Sequence, residues 1–312
     1  MKTWRTLTID TLPDGTAVEI PYLDVTGAAP GPRLTVIAGV HGTEYASIEA
    51  VRTFARGLDP AAIAGRITAV PVVNVPAFWA RSPFVVPVDG KNLNRSFPGD
   101  PAGGYTEIYA HHVFRSFIAD ADYLVDLHAG DLPEALEPFT LYEESPVEGV
   151  ARDLARAYGL GHIVRQARAA RTVGGSTSAA AADAGIPAIT AESGQNGLVE
   201  PGAVDRHLSG LANVLRHLGL LQGDPSPTPP ACEHHGWHWI RTPVGGWWAP
   251  AVPVGATVAA GDLLGTVSTL AGELLHEVRA PAAGVPLFVT TSPAVLADGL
   301  LLGLANGGNR TG

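Results

Sequence analysis

The stretch RLTVIAGVHGTE at positions 33–44 joins an unbroken apolar run to a polar end. Residues 33–40 have the length and composition of a strand that is buried on both faces of a sheet. The run stops at His41-Gly42, and a helical pattern follows from about Glu44 to Arg56. A buried strand that leads directly into a helix is the unit from which parallel α/β sheets are built.

The same strand–helix unit recurs along the first 221 residues. An N-terminal hairpin is predicted around the Pro-Asp-Gly turn at 13–15. Further strands are predicted at 66–75, 123–130 and 186–194, and helices at 105–119, 145–160, 176–185 and 203–221. We therefore expect an α/β fold with a mostly parallel sheet sandwiched by helices. In such sheets ligands bind at the carboxyl ends of the strands.

A change of composition marks a second part of the chain. The segment QGDPSPTPPACEHHG (222–236) is rich in proline, and short β-like runs separated by glycine turns follow it. We predict a catalytic domain over 1–222, a linker over 223–235, and a small all-β C-terminal domain over 236–312.

Charge and composition exclude several function classes. The formal net charge is −10, which argues against a nucleic-acid or anionic-membrane partner. No apolar stretch approaches the roughly 20 residues of a membrane span, and the N-terminus lacks a signal-peptide pattern, so a cytoplasmic protein is the default. Cys232 is the only cysteine, which rules out an intrachain disulfide and a cysteine-rich zinc site. Homo-oligomerisation stays open.

Two predicted strand ends carry residues of the types that bind zinc. His41 and Glu44 are three residues apart, at a spacing that also fits a polar turn with a capping glutamate. Asp126 and His128 lie on the same side of their strand, so that Asp126 would orient His128. A buried histidine without a metal is the alternative for His128 alone. Together, His41, Glu44 and His128 predict one zinc ion per chain with an open catalytic position.

Other side chains at the same edge are candidates for catalysis and substrate binding. Glu192 ends a late strand, where a carboxylate could take a proton from water; a solvated glutamate is the alternative. Asn94 and Arg95 offer an amide and a planar fork for a substrate carboxylate. Arg81 is a candidate for stabilising an oxyanion, with a surface arginine as the alternative.

Five motifs occur in order along the chain: HGTE (41–44), NVP (74–76), NLNRSFPG (92–99), DLH (126–128) and ESG (192–194). Together they resemble the motifs of the succinylglutamate desuccinylase/aspartoacylase family, which is part of the zinc-carboxypeptidase clan. The resemblance covers roughly residues 30–200. It implies zinc ligands at His41, Glu44 and His128, a catalytic carboxylate at Glu192, a carbonyl-polarising Arg81, and substrate binding by Asn94 and Arg95. The implied reaction is hydrolysis of an N-acyl amino acid to a carboxylate and an amine.

The chain departs from aspartoacylase proper at two points. Asn92 stands where that enzyme has an aspartate, and no tyrosine follows Tyr158, whereas aspartoacylases use a C-terminal tyrosine at the substrate. Strict N-acetylaspartate specificity is therefore not implied. The acyl group and the amino acid stay open, as does the question of whether Arg165, Arg168 or Arg171 contacts the substrate.

The C-terminal segments PVGGWW (243–248) and RAPAAG (279–284) are similar to those of many bacterial family members. The domain looks like a barrel-sandwich of the lipoyl type, but it has no lysine to carry a lipoyl group. Four tryptophans, Trp237, Trp239, Trp247 and Trp248, are expected to pack between the domains, and a role in shaping the cleft is the alternative. We interpret His234, His235 and His238 as scattered surface histidines, and a second metal site at these three residues is the alternative.

The leading hypothesis is thus a zinc-dependent amidohydrolase (deacylase) acting on amide bonds other than peptide bonds, with a small-molecule substrate. A metallocarboxypeptidase-like hydrolase of short peptides is the first alternative. A non-catalytic, zinc-stabilised binding protein is the second, and it predicts that Glu192 is dispensable.

Overall fold

A ten-stranded mixed sheet lies at the centre of the computed structural model, which describes residues 1–170 and 174–310. The strands of the described chain are, in order, β1 (Lys2–Ile9), β2 (Val18–Thr26), β3 (Ala29–Ala38), β4 (Ala64–Val70), β5 (Tyr123–His128), β6 (Glu134–Leu136), β7 (Phe139–Glu143), β8 (His162–Gln166), β9 (Ala188–Glu192), β10 (Cys232–His234), β11 (Gly236–Arg241), β12 (Gly246–Pro250), β13 (Leu263–Ser268), β14 (Leu274–Arg279), β15 (Gly284–Thr290), β16 (Ala294–Val295), β17 (Leu300–Asn306) and β18 (Asn309–Arg310). The helices are α1 (Tyr45–Gly57), α2 (Val75–Ala80), α3 (Tyr105–Val113), α4 (Glu148–Tyr158), α5 (Thr177–Asp183) and α6 (Pro201–His217). A π-helical turn extends α3 through Phe114–Ile118.

The large sheet has the strand order β1-β2-β4-β3-β5-β9-β7-β8-β10-β18. Its centre, β4-β3-β5-β9, is parallel, so the carboxyl ends of these strands meet at one edge. Strand β7 enters antiparallel to β9, and β8 and β10 then run parallel to β7. The antiparallel β1 and β2 complete the other side.

Helices cover both faces of this sheet. On one face the apolar sides of α1, α4 and α6 bury Val51, Leu154 and Leu211 against the sheet. On the other face α3 and α5 pack Tyr109 and Ala181 against strands of the same sheet. Strands β3, β5 and β9 are mostly apolar on both sides because both sides are covered. No helix of the described chain is both long enough and apolar enough to cross a membrane.

The C-terminal part consists of two four-stranded sheets, β11-β17-β15-β6 and β14-β13-β12-β16. Trp248 is fully buried between them, and its indole N–H donates to the carbonyl of Thr290 at 2.9 Å. Strand β6, from the first part of the chain, pairs with β15, while β10 and β18 join the large sheet. The two parts are therefore joined by strand pairing as well as by packing.

The predicted fold class, an α/β sheet sandwiched by helices with a small β-rich C-terminal domain, is confirmed. The predicted helices fall within a few residues of α1, α3, α4, α5 and α6. The short helix α2 and the strands β7 and β8 were not predicted. The domain boundaries at 222 and 235 stay a prediction. Among the described strands, β6 pairs with a strand of the C-terminal part, and β10 and β18 join the large sheet.

Candidate active site

The loop after β3 packs closely against α2, and this packing determines where the side chain of His41 points. A Cβ at Gly42 would lie 2.3 Å from the backbone nitrogen of Phe78, so only glycine allows this approach of the loop to α2. Asn74 holds the same two elements together: its amide donates to the carbonyl of Val40 at 3.1 Å, and its oxygen caps α2 at Ala77. His41 is consequently buried at the carboxyl edge of the sheet.

Glu44 lies between two histidines. Its Oε1 is 2.6 Å from Nδ1 of His41, and its Oε2 is 2.9 Å from Nδ1 of His128. Although Glu44 immediately precedes α1, its side chain makes no capping hydrogen bond. The three residues are buried, and a ligand atom from each lies within 4.8 Å of the others. The structure thus brings the three predicted metal ligands together.

Both imidazoles are held by their second nitrogen. Nε2 of His128 lies 3.0 Å from Oδ2 of Asp126, which also accepts from the hydroxyl of Thr177. Nε2 of His41 lies 3.2 Å from Oδ1 of Asn92. With Nε2–H donating to these oxygens, both Nδ1 atoms are left free to bind a cation. The residue types and the buried, oriented imidazoles fit zinc.

The electrostatics of the cluster favour positive charge between these residues. Burial opposes ionisation of Glu44, but the neighbouring charges of His128 and His41 hold its pKa at about 2. Burial would likewise lower the pKa of His128, yet Asp126 and Glu44 raise it well above its ordinary value. A pair of anionic carboxylates around these imidazoles therefore binds either protons or a metal cation.

Glu192 stands beside the cluster at the end of β9. In the parallel register of β5 and β9 it lies opposite His128. Desolvation by burial raises the pKa of Glu192 to about 8, with the nearby charge of Glu44 contributing. A carboxyl group with such a pKa can accept and return a proton near neutral pH.

A cavity of about 720 Å³ opens over these residues. Its polar floor contains the cluster and Glu192. Its walls are largely apolar, and strands β11 and β15 of the C-terminal part supply several of them. The apolar wall residues are Leu136, Phe139, Leu141, Trp237, Trp239, Phe288, Leu296 and Leu300. Trp237 and Trp239 thus line the cleft, which was the alternative to the favoured packing between domains.

The predicted substrate-binding pair also lines the cavity. Asn94 is buried, and its side-chain oxygen accepts from the backbone N–H of Thr177 at 3.0 Å. Arg95 donates to the carbonyl of Asn94 at 2.7 Å and forms no ion pair with another described residue. Its guanidinium is therefore available to an anionic group.

The structure does not bring Arg81 to this cavity. Arg81 is exposed at the end of α2, where its φ of 52° places it in the left-handed region, and it is not among the lining residues. Its role stays a prediction from the sequence. Arg165 pairs with Glu144 and Glu148, and Arg168 with Asp183, outside the cavity lining; Arg171 lies outside the described residues.

Two residues of the site were not found from the sequence. Glu134 lines the cavity, and burial, reinforced by the charges of Glu44, Asp131 and Glu192, raises its pKa well above the ordinary value. His207 on α6 contacts the backbone carbonyl groups of His128 and Ser193 at the strand ends. Neither residue lies at a predicted strand end, so the pattern that identified the other residues carries no information about them.

Three comparisons place this geometry among known proteins. The family described as "Succinylglutamate desuccinylase/Aspartoacylase catalytic domain" matches residues 30–218. The N-alpha-acetyl-L-2,4-diaminobutyric acid deacetylase of Halomonas elongata is 31% identical over 211 residues, which are 67% of this chain and 60% of the deacetylase. The chain thus matches less than two thirds of that relative's length.

Solved structures match over nearly the whole chain. The product-bound ectoine utilization protein EutE (DoeB) from Ruegeria pomeroyi superposes with a TM-score of 0.87 and 26% identity, covering 97% of this chain and 95% of that one. The succinylglutamate desuccinylase/aspartoacylase from Rhodobacter sphaeroides gives a TM-score of 0.86 at 24% identity, covering 98% and 95%. At 24% identity, the similarity to the Rhodobacter sphaeroides structure supports the fold and nothing further.

Proposed function

Since the chain belongs to the succinylglutamate desuccinylase/aspartoacylase family, we propose that it is a zinc-dependent amidohydrolase that cleaves an N-acyl amino acid to a carboxylate and an amine. One observation carries the proposal: the two carboxylate oxygens of Glu44 face the Nδ1 atoms of His41 and His128. Three convergent protein ligands with a cavity over them are what a catalytic zinc site requires.

The proposed ligands are Nδ1 of His41, the carboxylate of Glu44 and Nδ1 of His128. Zinc bound there supplies a Lewis acid that polarises an amide carbonyl and makes water more acidic. Asn92 and Asp126 hold the two imidazoles by Nε2, which fixes the tautomer that presents Nδ1. These contacts hold both imidazoles in the orientation that the proposed ligand set requires.

Glu192 is the proposed general base and acid. Its carboxylate takes a proton from the attacking water and delivers it to the nitrogen of the departing amine. Its pKa of about 8, raised by burial, suits a group that must do both near neutral pH. Glu134 is a second buried carboxyl group in the same cavity, and burial raises its pKa well above the ordinary value.

Arg95 and Asn94 are the proposed contacts for the carboxylate of the substrate. A guanidinium without a protein partner at a cavity wall binds a carboxylate through two parallel hydrogen bonds. Arg81, which is exposed at the end of α2, has no such support beyond the sequence.

The C-terminal part limits the size of the substrate. Trp239, Phe288 and Leu300 line the cavity, and a site walled by these large side chains favours a small acyl amino acid over a short peptide in extended form. The largely apolar walls favour a substrate with an apolar portion. The relative from Halomonas elongata is named as a deacetylase of an N-acetylated amino acid, which supports this substrate class. A cytoplasmic location stays a prediction, and the oligomeric state stays open.

The test is a screen of N-acetyl, N-succinyl, N-formyl and longer N-acyl amino acids, with released amine measured for the zinc-loaded chain. We expect hydrolysis of at least one class of acyl amino acid, and none of peptides with blocked termini. Hydrolysis of free peptides at higher kcat/KM than any acyl amino acid would instead favour the carboxypeptidase-like alternative.

A further inference from the structure

A second cluster of metal-binding side chains lies outside the active-site cavity. His162, Cys232 and His234 each offer a ligand atom, and these atoms lie within 4.8 Å of one another. None of the three lines the cavity described above. We propose that these residues form a second zinc site, which stabilises the strand leading into the C-terminal part of the chain.

The backbone places the three side chains together. Strand β10 pairs in parallel with β8, and Cys232 lies directly opposite His162. His234 is two residues further along β10, so its side chain is on the same face as Cys232. The intervening Glu233 is buried and is held by the hydroxyl of Tyr142 at 2.7 Å and by Arg156 at 2.8 Å. These contacts fix the rotation of β10 without any metal.

The two imidazoles are already in contact. Nδ1 of His162 lies 2.9 Å from Nε2 of His234, and the ring centroids are 5.1 Å apart at an interplanar angle of 25°. Imidazole nitrogens are ligands that zinc accepts, so this contact already brings two of the three proposed ligands together.

His234 has a buried nitrogen without a partner. The residue is 2% exposed, and its Nδ1 makes no hydrogen bond within the described chain. Leaving a buried polar nitrogen unsatisfied is costly. A hydrogen bond between the two histidines gives Nε2 of His234 a partner but leaves Nδ1 without one. A cation bound at this cluster would give Nδ1 a partner as well.

Gly308 leaves room for an ion beside this nitrogen. A Cβ at Gly308 would lie 2.6 Å from Sγ of Cys232 and 2.9 Å from Nδ1 of His234. The absence of a side chain therefore leaves a space bordered by the thiol and by the unpartnered nitrogen. Gly308 itself is exposed, so an ion can enter from solvent.

The donor set selects the metal. One thiolate and two imidazoles suit zinc and other borderline transition metals, and they do not suit magnesium or calcium, which prefer oxygen. The site would pin β10 to β8 just before Trp237 and Trp239, which wall the active-site cavity. Its expected role is structural, because it lies outside that cavity.

Cobalt(II) provides a direct spectroscopic test. Because Cys232 is the only cysteine of the chain, thiolate-to-cobalt charge-transfer absorption can arise only at this site, whatever binds at His41, Glu44 and His128. We expect this band to grow to one equivalent when untagged, metal-stripped protein is titrated with Co²⁺, and zinc to abolish it. Absence of the band in the wild-type chain would overturn the proposal, and no variant is needed for that result.

Two variants and a matched control locate the ligands. Cys232→Ser should lose the band completely, and His234→Ala should weaken binding by ~100-fold or more, since even groups that only support a ligand are worth 10- to 100-fold. His235→Ala changes the exposed residue that directly follows β10 and should leave the titration unchanged. An unaltered band in His234→Ala would show that the thiol binds cobalt without this cluster, which contradicts the assignment.

Alkylation of the thiol provides an independent test with zinc itself. Zinc should slow the reaction of Cys232 with iodoacetamide by about tenfold or more in the wild-type chain, because coordination removes the free thiolate. It should have little effect on this rate in His234→Ala. Equal rates with and without zinc in the wild type would again contradict the site.

Discussion

Nε2 of His207 lies 3.1 Å from the backbone carbonyl oxygen of His128, and at the same distance from that of Ser193. The imidazole on α6 thereby joins the ends of β5 and β9, which carry the third proposed metal ligand and the proposed general base. Its Nδ1 accepts the hydroxyl hydrogen of Tyr158 at 2.7 Å. A neutral histidine with Nε2–H satisfies all three contacts, so the positions of His128 and Glu192 depend on a buried, uncharged imidazole.

This dependence predicts an acid-sensitive stability. Burial lowers the pKa of His207 from its ordinary value of 6.5 to about 4. As the pH falls, the unfolded chain therefore binds this proton first. The contribution of His207 to the free energy of unfolding is complete above pH 6.5 and is lost between pH 6.5 and 4, by about 3 kcal/mol in total.

Urea unfolding between pH 4.5 and 7.5 measures this effect. His207→Gln should reduce the slope of the unfolding free energy against pH by about 1.4 kcal/mol per pH unit in this window, since one titrating proton is removed. His217→Gln, an exposed position on the same helix, is the control and should keep the wild-type slope. Parallel curves for His207→Gln and the wild type would contradict the assignment.

Substitution of the proposed base should affect catalysis and spare metal binding. Glu192→Gln should lower kcat by about 10²- to 10⁴-fold, the usual contribution of a positioned acid–base group. Zinc content should stay at the wild-type value because Glu192 is not a proposed ligand. Glu19→Gln, exposed on β2, is the control for general effects. A Glu192→Gln enzyme with wild-type kcat would favour the non-catalytic alternative.

Removal of the charge behind His128 should weaken metal binding. Asp126 is fully buried and lies 3.0 Å from Nε2 of His128. Asp126→Asn should raise the dissociation constant for zinc at the active site by about 10- to 100-fold, as found for supporting carboxylates at other zinc sites. Asp122→Asn changes an exposed carboxylate just before the same strand and should leave the dissociation constant for zinc unchanged. Metal competition against a chelating dye provides the measurement, and equal affinities would refute the supporting role.

The apolar wall should determine which acyl amino acids are accepted. Trp239 packs edge-on against Trp237 and Phe288, with ring centroids 5.1 and 6.2 Å apart. Trp239→Ala should lower kcat/KM for substrates with a large apolar group by about 10- to 100-fold, mainly through KM. The loss for the smallest accepted substrate should be much less. Trp247 is an exposed tryptophan of the same part of the chain. Trp247→Ala should therefore leave kcat/KM unchanged for both the large and the small substrate.

Periodicity and strand-end position were sufficient to predict much of the fold and the metal cluster. Buried strands appear as unbroken apolar runs, and in parallel sheets their carboxyl ends meet, so His41 and His128 could be placed together before any coordinates. Glu192 was found by the same rule. The short strands β7 (FTLYE) and β8 (HIVRQ) were missed because polar residues leave neither with the unbroken apolar run that marks the central strands.

Contacts made across the tertiary structure could not be predicted in this way. His207 lies in the middle of a helix, and its role depends on two carbonyls from distant strands. His162 and Cys232 are 70 positions apart and meet only because β10 pairs with β8. The sequence pattern grouped His234 with His235 and His238, whereas the parallel register groups it with His162 and Cys232.

The most direct test of the account is the return of amide hydrolysis to metal-stripped protein. The chain should lose hydrolysis of its acyl amino acid substrate after treatment with a chelator and regain it when zinc is restored. His128→Ala should not regain it, and Cys232→Ser should, because its metal site is separate from the catalytic one. Equal rates for the stripped and the zinc-loaded wild-type enzyme would contradict the zinc-dependent mechanism.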